Sequence, residues 1–154
     1  MPATTDDKYY PPTGFHFRVR IDDMESVGDI RFQSVSGLNV QLQTEQFKEG
    51  GENRFEHSMP TRTKYSDLVL KRGIMLPNQS AITAWIKNAI ENFKIEPKNL
   101  IIELLDEKHE PLLVWKVEHA WPKNWKVDEL NAEQGKVLIE TIELNVNRFR
   151  LEKG

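Results

Sequence analysis

From Phe15 the chain alternates. Phe15, Phe17, Val19 and Ile21 fall on one side of an extended segment, and His16, Arg18 and Arg20 on the other. A period of two marks a half-buried strand. After a loop around Gly28, a second strand carries Ile30 and Phe32 to about Val35, where Ser36-Gly37 signals a bend or bulge. A third strand sets Leu38, Val40 and Leu42 against Asn39, Gln41 and Gln43. Beyond Thr44 its apolar side fades. Phe47, Phe55 and Met59 are the large apolar residues left before Tyr65. Gly50-Gly51 permits a reversal, and Pro60 lacks the donor a ladder needs. Leu68, Val69 and Leu70 restore a buried strand, closed by Gly73.

The period then changes. Pro77 to Ser80 supply helix-start signals, with Asn78 or Ser80 as the N-cap. Ile82, Trp85, Ile86, Ala89, Ile90 and Phe93 follow as one apolar stripe at helical spacing. The pattern places a helix over 79–93, stopped by Pro97. The remainder returns to strands. Leu100 to Leu105 is apolar on both faces apart from Glu103, which predicts a central strand. Asp106 to Pro111 reads as a turn, and Leu113, Trp115 and Val117 as the inward side of the next strand. Trp121-Pro122 should break that strand, with Trp125 and Val127 beginning another. A closing strand from Val137 to Phe149 points Leu138, Ile142, Leu144 and Val146 inward, over roughly 40 Å at the usual rise per residue. The fold class expected is mainly β: an antiparallel β-sandwich or barrel with one flanking α-helix. A chain of 154 residues fits a single domain, 1–154, with residues 1–13 as an extended leader ending in Pro11-Pro12.

Composition narrows the function more by exclusion than by signal. Net charge is -3, from 24 acidic and 21 basic side chains, so no strong field favours nucleic acid or an anionic membrane. With no cysteine, thiolate metal sites, disulfides and a Cys nucleophile are excluded. The first residues show no basic region followed by an apolar run, which predicts synthesis in the cytoplasm without a signal peptide or membrane anchor. His16, His57, His109 and His119 lack metal-site spacing, and neither a GxSxG nor a P-loop is present. Glu103, Asp106, Glu107 and Glu110 flank a hairpin and read as a solvated turn rather than an acid–base pair. Trp85 and Trp115 fall on apolar faces and read as core. Trp121 and Trp125 flank Pro122 and read as a subunit contact, and the four tryptophans together raise the alternative of a small-ligand or carbohydrate-binding β-barrel. No catalytic, cofactor-binding or metal residues are expected, and no enzymatic activity.

The segment over 44–64 is the anomaly. It mixes Glu45, Lys48, Glu49, Glu52, Arg54, Glu56, Arg62 and Lys64 closely, with isolated anchors at Phe47, Phe55 and Met59. So long a coreless stretch is unfavourable in an isolated small domain. Alternating charge with sparse aromatics suits a docking surface better than a Gly-rich lid. It is therefore read as an assembly arm.

The stretches 9–19, 32–73, 111–132 and 139–149 also carry a resemblance. Ser36-Gly37-Leu38, the run from Glu49 to Arg54, the run from Thr63 to Gly73 and the late Trp121-Pro122 element resemble the tail tube proteins of contractile phages and phage-tail-like injection systems. The resemblance implies the tube fold shared with the type VI secretion tube protein. It implies hexameric rings that stack into a hollow tube, with sheets joined into a continuous inner barrel. Implied partners are other copies, a surrounding sheath protein, baseplate and tube-terminating proteins, and DNA or a protein effector in the lumen. It implies no cofactor. Carried onto this chain, it marks Glu49, Gly50, Gly51, Glu52, Asn53 and Arg54 as inter-subunit contacts, with Phe47 and Phe55 as their apolar anchors.

Overall fold

The longest strand organises the molecule. The computed structural model describes residues 14, 16–24, 31–48 and 56–154, and in it a strand spans Pro111–Val127. In chain order the strands are β1 (Phe17–Ile21), β2 (Ser34–Ser36), β3 (Val40–Lys48), β4 (Glu56–Tyr65), β5 (Leu68–Gly73), β6 (Lys98–Leu105), β7 (Pro111–Val127), β8 (Ile139–Asn145) and β9 (Arg148–Lys153). One helix, α1 (Ala81–Glu91), follows a 3₁₀ turn over Pro77–Gln79. All pairings are antiparallel, in the order β1-β6-β7-β8-β5-β2, with β9 also beside β7. Among the described residues the path ends at β1 and β2, so the antiparallel sheet is open, its two halves sharing β7.

Two bulges explain how one strand serves both halves. The register slips where His119 adopts φ 53°, with its N–H donating to Asn99 Oδ1 at 3.1 Å. It slips again between Pro122 and Asn124. An unpaired extra residue bends a strand and lets it change partners. The break expected at Trp121-Pro122 is therefore absent. Pro122 stays in β7 opposite Leu144, and Trp125 and Val127 continue the same strand.

The closing strand is the reverse case. It divides into β8 and β9, which nonetheless keep one register along β7, with Trp121 opposite Asn145 and Glu118 opposite Arg148. At the joint Val146 turns into the core, and Asn147 N–H donates to Glu118 O at 3.0 Å.

Both halves send apolar side chains to one core. Val19, Ile21, Leu100, Ile102 and Val117 come from one half, and Leu68, Leu70, Ile142 and Leu144 from the other. Helix α1 adds Ile82, Trp85 and Ile86. Ser80 is its N-cap, accepting from Thr83 N–H at 3.1 Å. The helix is shorter than its apolar stripe. Asn92 and Lys94 N–H both donate to Asn88 O, and Phe93 turns into the left-handed region at φ 54°. This ending turns the chain outward, leaving Phe93 84% and Ile90 49% exposed rather than in the core. Among the described residues, no helix is long and apolar enough to cross a membrane.

Two buried carboxylates break the apolar pattern. Glu140 (0% exposed) pairs with Arg72 (1%) across β8 and β5, Oε1 to Nε at 2.6 Å. Arg72 also donates to Ser80 Oγ at 2.8 Å and Thr83 Oγ1 at 3.2 Å. Trp125 Nε1–H donates to the second Glu140 oxygen at 3.0 Å. The pair thus ties the start of α1 to three strands. Glu103, expected on a solvated hairpin, lies buried on β6 between Arg18 (2.9 Å) and Arg20 (2.8 Å) of β1.

Candidate assembly surfaces

Strands β3 and β4 pair with each other as a separate two-stranded sheet. Their register shifts between Gln43 and Thr44, where Pro60 is accommodated opposite Thr44 with Thr61 as the extra residue. A bulge is where a strand tolerates proline. Among the described residues nothing packs over them, and Val40, Leu42, Phe47 and Met59 lie exposed. Phe47 faces His57 across the ladder, their rings 5.8 Å apart. An exposed hairpin with apolar residues on open strands is normally a hazard, because it templates pairing with another chain.

The base of this hairpin is fixed. Gly37 has φ +91°, and a Cβ there would sit 2.0 Å from Asp67 O. No other residue type fits where the entering chain crosses the leaving one. Ser66 N–H donates to Asn39 O at 3.1 Å. Lys123 Nζ reaches Asp67 Oδ2 at 2.8 Å from β7, and this contact raises the ammonium's pKa. Tyr65 packs edge-on against Phe149 of β9, with ring centroids 4.9 Å apart.

The half of the sheet built from β1, β6, β7 and β9 turns a charged face outward. Besides the Glu103 cluster, Lys116 pairs with Glu152 at 2.9 Å, and Glu118 takes both Arg148 and Arg150. The hydrogen bond from Arg148 holds the Glu118 carboxyl below its ordinary value against the opposing effect of desolvation, with the charges of Arg148, Arg150 and His119 adding to the lowering. β1 and β9 are the lateral edges of this half. Among the described residues each pairs on one side only, leaving a row of backbone donors and acceptors on the other.

Of the residues marked from sequence, Phe47 lies on the exposed hairpin. Glu49, Gly50, Gly51, Glu52, Asn53, Arg54 and Phe55 lie outside the described residues. Trp85 is buried, its Nε1–H donating to Glu96 O at 2.7 Å, and Trp115 packs against the core. His16 and His109 meet edge-on at 4.3 Å. Among the described residues no three His, Asp or Glu side chains gather as a metal site. The space between the sheet halves is filled by side chains. Sequence reasoning missed Arg72 with Glu140, which lie 68 residues apart and make sense only once β5 and β8 pair.

A β-rich chain with a packed core, open sheet edges and an exposed apolar hairpin has the build of a subunit that meets other chains. The chain belongs to the T4-like virus tail tube protein family, gp19, which matches residues 13–150. No curated protein matches it by sequence. It is 30% identical to a chain in the 6-fold symmetrised cryo-EM structure of the anti-feeding prophage (AFP) baseplate. That match covers 94% of this chain and 97% of the other, with a TM-score of 0.82. It is 26% identical to a chain of an extracellular contractile injection system, the PVC sheath–tube complex in the extended state. There the coverage is 96% and 95%, and the TM-score 0.80. A type six secretion system protein, 14% identical over 90% of this chain and 83% of that one, shares the fold at a TM-score of 0.60.

Proposed function

We propose that six copies of this chain close into a ring, and that rings stack into the hollow inner tube of a contractile injection particle. The observation that carries this reading is the pair of unsatisfied features on an otherwise finished domain: lateral sheet edges at β1 and β9, and the coreless β3–β4 hairpin. Rotational closure of a head-to-tail contact removes the edges, while the axial contact stays open and builds length. The relative from the AFP baseplate comes from a 6-fold symmetrised assembly, which supports a six-membered ring. The relative from the PVC sheath–tube complex supports a sheath protein as the outer partner.

In this reading the hairpin is the assembly arm, and Phe47 with the run from Glu49 to Phe55 makes inter-subunit contacts. Baseplate and terminating proteins bound the stack. The lumen conveys DNA or a protein effector when the sheath contracts, and the subunit catalyses nothing. Negative-stain electron microscopy of the purified protein tests it. Six-fold rings and stacked tubes are expected. A monodisperse monomer at high concentration would overturn it.

A further inference from the structure

The face that β1, β6, β7 and β9 turn away from the core carries a bias of charge. Glu103 on β6 is held by Arg18 and Arg20 of β1, and Glu118 on β7 by Arg148 and Arg150 of β9. Glu152 on β9 pairs with Lys116 of β7. Five cations thus meet three carboxylates, a surplus of two positive charges on a chain whose net charge is -3. The cations are also the outer members of their clusters. Side-chain exposure is 40% for Arg20 and 58% for Arg150, against 3% for Glu103 and 23% for Glu118. Whatever passes this face meets guanidinium before carboxylate. The aromatic residues Phe17, Trp115 and Phe149 of the same strands pack against the core instead.

We infer that this face receives an acidic protein cargo in the lumen, its carboxylates taken by arginines that two neighbouring copies bring together. The inference rests on the ring-and-stack reading above and names the cargo class that the reading leaves open. Which side of the sheet faces inward follows from size. Four strands from each of six copies, about 4.8 Å apart, close a wall roughly 115 Å around, with a radius of about 18 Å. The other half of the sheet and α1 lie on the core side. A sheet layer of about 10 Å and a helix of about 10 Å together exceed that radius. The core side therefore faces out and the charged side in. Where β9 of one copy meets β1 of the next, Arg148 and Arg150 come beside the neighbour's Arg18 and Arg20, with Glu118 and Glu103 one strand further away on either side. Each seam gathers four guanidiniums, and a guanidinium pairs with a carboxylate through two parallel hydrogen bonds. A protein with an acidic excess suits this wall better than nucleic acid does. Glu103, Glu118 and Glu152 interrupt the positive charge that a continuous phosphate backbone would follow. With Phe17, Trp115 and Phe149 turned to the core, the bases of a single strand find no stacking platform among these residues.

Two measurements decide it. In the first, the wild-type chain assembles in the presence of fluorescent poly-glutamate, poly-lysine or single-stranded DNA, and the label that sediments with washed tubes is read per subunit. Poly-glutamate should be retained at least about tenfold above poly-lysine, and less as salt is raised. Equal retention of the two, or an excess of poly-lysine, would overturn the inference. DNA retained above poly-glutamate would also overturn it, in favour of a nucleic-acid cargo. Arg20→Gln with Arg150→Gln removes the more exposed cation of each cluster and leaves Arg18 on Glu103 and Arg148 on Glu118. Retention of poly-glutamate per subunit should fall roughly tenfold, and Arg20→Lys with Arg150→Lys should restore most of it. Undiminished retention in the glutamine variant would refute the site, and the wild-type comparison decides even where that variant assembles poorly. The second measurement places the face. The chain has no cysteine, so Arg150→Cys gives a single thiol. A small maleimide should reach it in tubes, whereas a maleimide on a polymer too wide for the lumen should reach it only in the dissociated chain. Equal reaction of the wide reagent in both states would turn this face outward and sink the inference. If wild type itself forms no rings, the ring-and-stack reading fails instead.

Discussion

Arg72 and Glu140 show how far one buried pair can commit a fold. Both are essentially inaccessible, and the carboxylate takes Arg72 on one oxygen and Trp125 on the other. Removing one partner leaves an uncompensated buried charge, at a cost of about 3–5 kcal/mol. Arg72→Met should therefore lose that much in urea unfolding, a large share of the roughly 5–15 kcal/mol a domain holds. The double change to Arg72→Met with Glu140→Leu should recover much of it. Neither residue announces itself in the sequence. Arg72 occupies an inward position after Leu68 and Leu70, and Glu140 sits in step with Ile142 and Leu144, so alternation marks them as misplaced rather than paired. Glu118 offers a gentler test on the surface. Its carboxyl is held below the ordinary 4.5, chiefly by the Arg148 hydrogen bond. A midpoint lowered by folding means the contact contributes fully above 4.5 and is lost as pH falls through the folded midpoint. In Arg148→Ala the Glu118 carboxyl should titrate closer to 4.5, read by carbon-detected NMR. An unmoved midpoint would remove Arg148 as the cause.

Elements with strong periodicity were legible, and their ends were not. The stripe from Ile82 to Ala89 is buried as the helical period requires, yet the same period continues to Phe93 after the helix has turned outward. Spacing alone does not register a C-terminal cap. Likewise Trp121-Pro122 reads as a stop, but one extra residue in β7 carries the strand past it. The alternation from Val137 to Phe149 looks like one strand because β8 and β9 share one register and only Val146-Asn147 interrupts them. The hairpin is legible as an element without a core. Its fading apolar side after Thr44 is the sequence image of a two-stranded sheet with nothing packed on it. Its base rests on Gly37, where φ +91° and the approach of Asp67 O exclude a side chain. Gly37→Ala should cost about 1–3 kcal/mol from backbone strain alone, with further loss from the clash, measured as a lowered thermal midpoint. Replacing Glu49 to Arg54 with a short Gly-Ser turn should do the opposite. The domain should keep its unfolding transition while tube yield falls, and an unchanged yield would show that the arm's tip takes no part in assembly.

At the scale of the molecule, stability and assembly draw on different surfaces. The core and the Arg72–Glu140 pair are complete within one chain. The hairpin's exposed apolar residues and the lateral edges gain their partners only from other copies in the proposed tube. Any contact made by the folded state and not by the unfolded one raises the apparent stability by mass action. The thermal midpoint of wild type should therefore climb with protein concentration, as ring and stack contacts add to a core that is already formed. Changing the inward side of the sheet, for instance Ile102→Ala, should lower the midpoint at every concentration by a similar amount, since a buried large-to-small change costs about 2–5 kcal/mol of stability. Scanning calorimetry over a hundredfold range of concentration separates the two behaviours. A midpoint independent of concentration in wild type would mean that the hairpin and the edges find no partner in other copies, and that their exposure serves something other than a tube.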